Sequence, residues 1–189
     1  MTVALHACCG PCASACVPRL KDEGHAVTLL FANSNLDTAE EFARRRAAAE
    51  TLARAEGVPF VALPYDHDDW LENVAAGYET APEKGARCAR CYRYNLAQAA
   101  AYAAAHGLDA FTTSLTVSPH KPSAVVFAAG EDIQREHGGA PQFLHDDFKK
   151  RDGFRRSVRR AAELGLYRQS YCGCEFSKHS ALSAHVLCQ

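Results

Sequence analysis

Residues 2–24 read TVALHACCGPCASACVPRLKDEG, and their reading decides the fold. Thr2 to Ala7 is a short apolar stretch carrying Val3 and Leu5, too short for a free-standing helix and suited to a buried strand. Gly10-Pro11 breaks regular structure. From Cys12 to Glu23 the apolar residues Ala15, Cys16 and Leu20 recur at near-helical spacing, and Gly24 stands where helices stop. The stretch is therefore strand, tight turn and helix, and its turn holds Cys8, Cys9 and Cys12.

Outward from there the unit repeats. AVTLLFA (26–32) fits a central parallel strand; the polar loop Asn33 to Asp37 follows, then a helix from Thr38 to Glu56. Thr38 with Glu41 three residues on has the form of a capping box. Val58 to Leu63 reads as a third strand, ended by Pro64, and YDHDDW (65–70) as an acidic, aromatic loop entering a short helix that runs out near Gly77, either a solvated loop whose Trp70 packs on the body or one with a role at the site mouth. Arg87 to Arg93 (RCARCYR) opens an Ala-rich helix that ends at His106-Gly107. The β-branched run Phe111 to Val117 predicts a fourth strand, and SPHKP (118–122) turns the chain into a helix over 123–136. Gln142 to His145 predicts a short fifth strand, Phe154 to Leu164 a basic helix, and the tail carries YCGC (171–174).

Alternating strands and helices imply an α/β fold, a parallel sheet with helices on both faces. Ligands in such sheets collect beyond the carboxyl ends of the strands, where strand order reverses. Cys8, Cys9 and Cys12 fall at such an end. With 189 residues and 48% apolar content the chain is sized for one core. One domain over 1–189 is expected, with a cysteine-bearing C-terminal segment at 166–189. The net charge of −1 advertises no polyanionic partner, so any nucleic-acid surface must be local. No run approaches the roughly 18 to 20 apolar residues of a membrane helix, and no signal peptide is visible. A cytoplasmic protein without membrane contact is expected. In a reducing compartment its nine cysteines read as ligands or catalysts, with Cys188 the odd one over.

A thiol acts as ligand or nucleophile in its thiolate form, which a helix N-terminus favours. Cys8, Cys9 and Cys12 precede or begin one helix. Cys88 and Cys91 lie one turn apart on another, flanked by Arg87, Arg90 and Arg93. Paired C-x-x-C thiols signal metal without naming it: zinc takes four ligands, iron–sulfur clusters use similar runs, and these five exceed the need of one zinc. Unliganded buried thiols are the third possibility. Cys172 and Cys174 differ, since a bridge across Gly173 would close a small, easily reduced ring. They read as an electron reservoir, a late-joining ligand pair, or two reduced thiols packed on the core. His6 reads as a satisfied core histidine. Asp37 and Asp147 stand at sheet-end loops where a carboxylate binds metal, donates a proton or caps a turn. Arg44-Arg45-Arg46 fan around their helix, whereas Lys149-Lys150-Arg151 with Arg155, Arg156, Arg159 and Arg160 concentrate charge, as a solvated face or a phosphate-contacting one.

Three motifs in register, HxCCGPC (6–12), RCxxCY (87–92) and YCGCxFS (171–177), together resemble the epoxyqueuosine reductase QueH family over nearly the whole chain. The resemblance implies a Rossmann-like sheet related to adenine-nucleotide hydrolases. It also implies reduction of the epoxide of epoxyqueuosine at the tRNA wobble position to queuosine, with a [4Fe-4S] cluster and an additional adjacent iron. Cys8, Cys9, Cys88 and Cys91 carry over as cluster ligands and Cys12 as ligand to the extra iron, while Cys172 and Cys174 match the terminal, redox-active pair. The substrate is then tRNA and an unidentified donor supplies electrons. Asp37, Asp147 and Tyr92 are candidate proton donors, and Tyr65, Trp70 and Tyr92 candidates for stacking on the displaced base. An ATP-dependent tRNA-modifying enzyme on the same sheet would need a Gly- and Ser-rich phosphate loop where Cys8 to Cys12 stands, so ATP is not expected. A zinc-binding structural or tRNA-binding module is the other alternative.

Overall fold

The computed structural model describes residues 1–178; Cys188 lies outside them. Five parallel strands form one sheet in the order β3-β2-β1-β4-β5: β1 (Thr2–His6), β2 (Ala26–Phe31), β3 (Phe60–Ala62), β4 (Ala110–Thr113) and β5 (Gln142–Phe143). β1 is central, with Leu5 opposite Leu29 on one side and Thr112 on the other. The chain first winds outward through β2 and β3 and then crosses to β4, so strand order reverses beside β1.

Because both faces are covered, the strands are apolar at consecutive positions, and each alternate residue enters a different core. Leu5, Leu29 and Phe31 face one side, against α1 (Gly10–Asp22), α2 (Ala39–Glu56) and α6 (Gly153–Glu163), joining Val17, Leu20, Leu52 and Phe148. Ala4, Leu30 and Phe111 face the other, against α4 (Ala86–Ala105) and α5 (Ser123–Glu136), with Leu96, Val126, Ile133 and Phe143. Each fully buried Leu, Val or Phe contributes roughly 1.5–3 kcal/mol of transfer free energy. Close helix packing constrains the first turn too, since a Cβ on Gly10 would stand 2.6 Å from the Ala48 carbonyl oxygen of α2.

Several boundaries differ from expectation. α1 starts two residues early because Cys9, with extended backbone, caps it: its Sγ accepts from the Cys12 N–H at 3.4 Å. β4 ends at Thr113 and the β-branched Ser114–Val117 forms a 3₁₀ turn. Local side-chain bonds override strand propensity there, Thr113 Oγ1 accepting from Leu115 N–H and Ser114 Oγ from Cys8 N–H. β3 and β5 are shorter than predicted. The capping box at α2 is half formed: Thr38 accepts from Glu41 N–H, while the Glu41 carboxylate turns away to Arg45. The acidic loop contains α3 (His67–Trp70), which continues as a π-helical turn, Leu71–Ala75. Among the described residues no helix is long and apolar enough to cross a membrane.

Candidate metal centre

Cys8 and Cys9 leave the carboxyl end of β1 and Cys12 lies in the first turn of α1, so a strand end and a helix N-terminus aim three thiols at one point. Their sulfurs lie within 4.8 Å of one another, half-buried or buried. Hydrogen bonds with the Cys12 and Cys8 thiols hold the Cys9 thiol well below its usual range, against the effect of burial. The same contacts, to Cys8 and then Cys9, push the Cys12 thiol well above its own. The triad thus concentrates anionic character on Cys9 at the positive end of α1. Donors from elsewhere complete it: Gln169 Nε2 reaches Cys9 Sγ at 3.2 Å, and Ser114 Oγ reaches Cys8 Sγ at 3.3 Å.

The remaining motif thiols form a second group. Cys88 and Cys91 stand one turn apart on α4, Cys88 Sγ accepting from the Lys84 N–H at 3.2 Å. Burial, reinforced by the charge of Cys172, drives the Cys91 thiol strongly upward, and burial also raises Cys88 and Cys174. Cys91 and Cys174 pack against Trp70, which is 1% exposed. That indole therefore offers no face to a base. The five thiols expected as ligands are not gathered into one group as tight as the triad, and all eight cysteines among the described residues are free thiols, Cys172 and Cys174 included.

Lys121 joins the two groups. Its Nζ lies 3.6 Å from Cys172 Sγ. Burial would lower its pKa, but the negative charges of Cys172 and Cys8, with Tyr92 and Cys12, hold it well above the ordinary lysine value. The loop that carries it is pinned by Lys149, whose Nζ donates to the Lys121 carbonyl at 2.9 Å and to Ser123 Oγ at 2.6 Å. Tyr92 is buried beside it, its hydroxyl pushed upward by burial. A fixed ammonium among thiols offsets the charge that metal binding would concentrate there.

The terminal motif is held by a separate clamp. Arg45, buried in α2, pairs with Glu41 at 2.6 Å and donates to the carbonyls of Cys172 at 2.8 Å and Tyr171 at 3.4 Å. Asp37 belongs to this clamp: its N–H bonds the Gly173 carbonyl, and its carboxylate accepts from the Tyr171 hydroxyl at 2.6 Å and pairs with Lys178. Asp147 takes the Lys149 N–H on its carboxylate and its carbonyl accepts from Arg19. His6 is a core histidine, bonded to Thr113 Oγ1 and the Ala32 carbonyl, its pKa lowered by burial. Sequence reasoning missed Lys121, Ser114, Gln169 and Arg45. The placement of SPHKP directly after the β4 turn, at the ligand edge of the sheet, was the one signal pointing to Lys121.

Fold and site together define a parallel α/β protein with three convergent thiols, able to hold a metal, at the carboxyl edge of its sheet. Sulfur donors suit thiophilic metals such as zinc, copper(I) and iron in clusters. Residues 3–180 match the family model described as Epoxyqueuosine reductase QueH. The chain is 34% identical over 182 residues to the epoxyqueuosine reductase QueH of Streptococcus pyogenes serotype M1, covering 93% of this chain and 70% of that one. It is 32% identical to the Dehalococcoides mccartyi protein of the same name, covering 93% and 91%. The Thermotoga maritima counterpart is 30% identical, covering 96% of both chains. This chain belongs to the epoxyqueuosine reductase QueH family.

Proposed function

We propose that the protein reduces the epoxide of epoxyqueuosine in cytoplasmic tRNA to the alkene of queuosine, using a [4Fe-4S] cluster and an additional iron. The observation that carries the reading is the buried Cys8-Cys9-Cys12 triad in a chain that matches the reductase family from residue 3 to residue 180. Its all-thiol donor set, with N–H and O–H groups aimed at the sulfurs, fits iron–sulfur chemistry. Cys8, Cys9, Cys88 and Cys91 would hold the cluster, and Cys12 the extra iron. Such a centre supplies electrons singly at a potential set by its surroundings.

The reaction consumes two electrons and two protons and releases the epoxide oxygen as water. Lys121 is the polar cation at the meeting point of the two thiol groups, and it would donate a hydrogen bond to that oxygen as the C–O bonds break. Tyr92 beside it would relay a proton. Asp37 orients the terminal motif through the Tyr171 hydroxyl and the Gly173 carbonyl, and Asp147 fixes the turn before Lys149. Oxidation of the Cys172/Cys174 dithiol to a disulfide would release two electrons and two protons, matching the demand. A ring that small is readily reduced again by an external donor.

The test is direct. Anaerobically reconstituted protein, a chemical reductant and epoxyqueuosine-containing tRNA are incubated, and the digested nucleosides are separated by mass. Queuosine is the expected product. Absence of conversion by protein that holds iron and acid-labile sulfide would refute the function, and colourless protein with one tight zinc per chain would refute the cofactor.

A further inference from the structure

The chain's net charge of −1 conceals a strong asymmetry. Between Lys149 and Arg160 lie seven cationic side chains and one carboxylate, Asp152, so the rest of the molecule carries a compensating negative excess. α6 sorts these residues by face. Ser157 and Ala161 are buried, and the Ser14 hydroxyl of α1 bonds the Ser157 carbonyl at 3.3 Å. Arg155, Arg156 and Arg159 point outward and, with Asp152, line a surface cavity of about 350 Å³. Phe154, 41% exposed, stands beside them.

Most other surface cations are committed. Arg19 pairs with Glu23 and Asp146, Arg93 with Glu136, Arg135 with Asp132, and Arg160 with Glu56. On α6, Arg159 has only a 3.7 Å contact to an exposed Glu163, weak in solvent. No ion pair joins Arg155 or Arg156 to a carboxylate among the described residues. Beyond α6 the chain runs through exposed Arg168 to Gln169, whose amide touches Cys9. Cation–π packing of Arg44 on Tyr167 continues the positive track.

We propose that the Arg155-Arg156-Arg159 face of α6, with Phe154 and Arg168, is the docking surface for the sugar–phosphate backbone of tRNA. The identity of the nucleic acid rests on the reductase reading; the surface itself rests on the charge distribution. Arginines spaced three and four residues apart on one helical face suit successive phosphates, and an exposed phenylalanine among them gives a base a surface to stack on. α6 and the segment that follows it would then both dock the substrate and brace the cysteine turn, Ser157 through Ser14 and Gln169 through Cys9.

Binding of an unmodified tRNA transcript, which undergoes no chemistry, is measured by fluorescence anisotropy across salt concentrations. For Arg155→Ala/Arg156→Ala/Arg159→Ala the expected result is a loss of affinity on the order of ten-fold or more, with the log–log salt slope shallower by about 2 to 3. Replacing the same three residues by Lys should restore most of the affinity. Arg93→Ala/Arg135→Ala, on the opposite face, should bind as the parent does. The proposal is overturned by parental affinity and slope in the α6 triple variant, by equal losses in both variants, by a parent chain that binds no tRNA, or by a parent that binds phosphatidylglycerol vesicles in preference to tRNA. Nucleoside conversion is assayed separately. A parent that binds through α6 yet converts nothing refutes only the reductase reading, and one that converts while the triple variant binds unchanged refutes only this surface.

Discussion

Arg45→Met tests the clamp on the terminal motif. The substitution keeps the stem volume and removes a guanidinium whose side chain is 2% exposed, leaving a Glu41 carboxylate that is 1% exposed. Stripping one partner from a buried ion pair costs about 3–5 kcal/mol, because the other charge stays desolvated. Two contacts place this case toward the lower end: Glu41 retains Arg44 at 2.9 Å and the Tyr167 hydroxyl at 2.9 Å. Against a total stability of about 5–15 kcal/mol, the loss is large. Urea unfolding under reducing, metal-free conditions reads it, and Glu41→Gln/Arg45→Met should recover more than half, since no bare carboxylate remains buried. Cys172 should also be alkylated faster in the native variant, its carbonyl having lost the 2.8 Å bond to Arg45. The pH dependence has a definite sign. Burial alone would raise the Glu41 pKa, but the bond and charge of Arg45 outweigh it and hold it below the ordinary 4.5. That stability is complete above the unfolded value and is lost as pH falls through the folded one, so the parent should weaken below about pH 4.5 more steeply than Arg45→Met. Unfolding of Arg45→Met within about 1 kcal/mol of the parent, with unchanged Cys172 labelling, would refute the reasoning.

Gly10→Ala places a methyl against the Ala48 carbonyl and must push α1 from α2; a loss of about 1–3 kcal/mol in chemical unfolding and reduced metal retention by the triad are expected. Compared at matched iron content, Lys121→Met should lower kcat by roughly 10²–10³, the effect of deleting a donor to a developing oxyanion, and Lys121→Arg should restore part of it; an undiminished rate would exclude the role. Trp70 is the sole tryptophan and packs against Cys91 and Cys174, so its emission should fall on metal loading, and a Cys91→Ser chain should show little change.

Much of the frame was legible because it depends on local rules. The apolar runs at Val3-Leu5 and Val27-Phe31, each followed by a helix, required a parallel sheet, and the sheet required a ligand edge where Cys8, Cys9 and Cys12 stand. Features that failed to show depend on partners distant in sequence. The end of β4 is set by Ser114 bonding to Cys8, 106 residues away, which no propensity reports. Arg45 was legible only as the middle member of a triplet fanning around its helix; its burial follows from Tyr171 and Cys172 folding back over α2. For Trp70 the sequence left two readings, packed on the body beneath a solvated loop or placed at the site mouth; the first holds, because α3 turns the indole onto α4 and the terminal motif.

The bond from Gln169 to Cys9 spans 160 residues, and it has a consequence for how the protein is made. During synthesis Cys8, Cys9 and Cys12 emerge before Cys88 and Cys91, and Gln169 to Cys174 after both. A nascent chain made only to Cys91 therefore displays part of the donor set without the Gln169 bond to Cys9. Metal captured at that stage would be exposed to oxygen and to competing thiols. Gln169 is made after Cys8, Cys9, Cys12, Cys88 and Cys91, so any metal bound at the triad would gain this donor only once the chain had been made as far as residue 169.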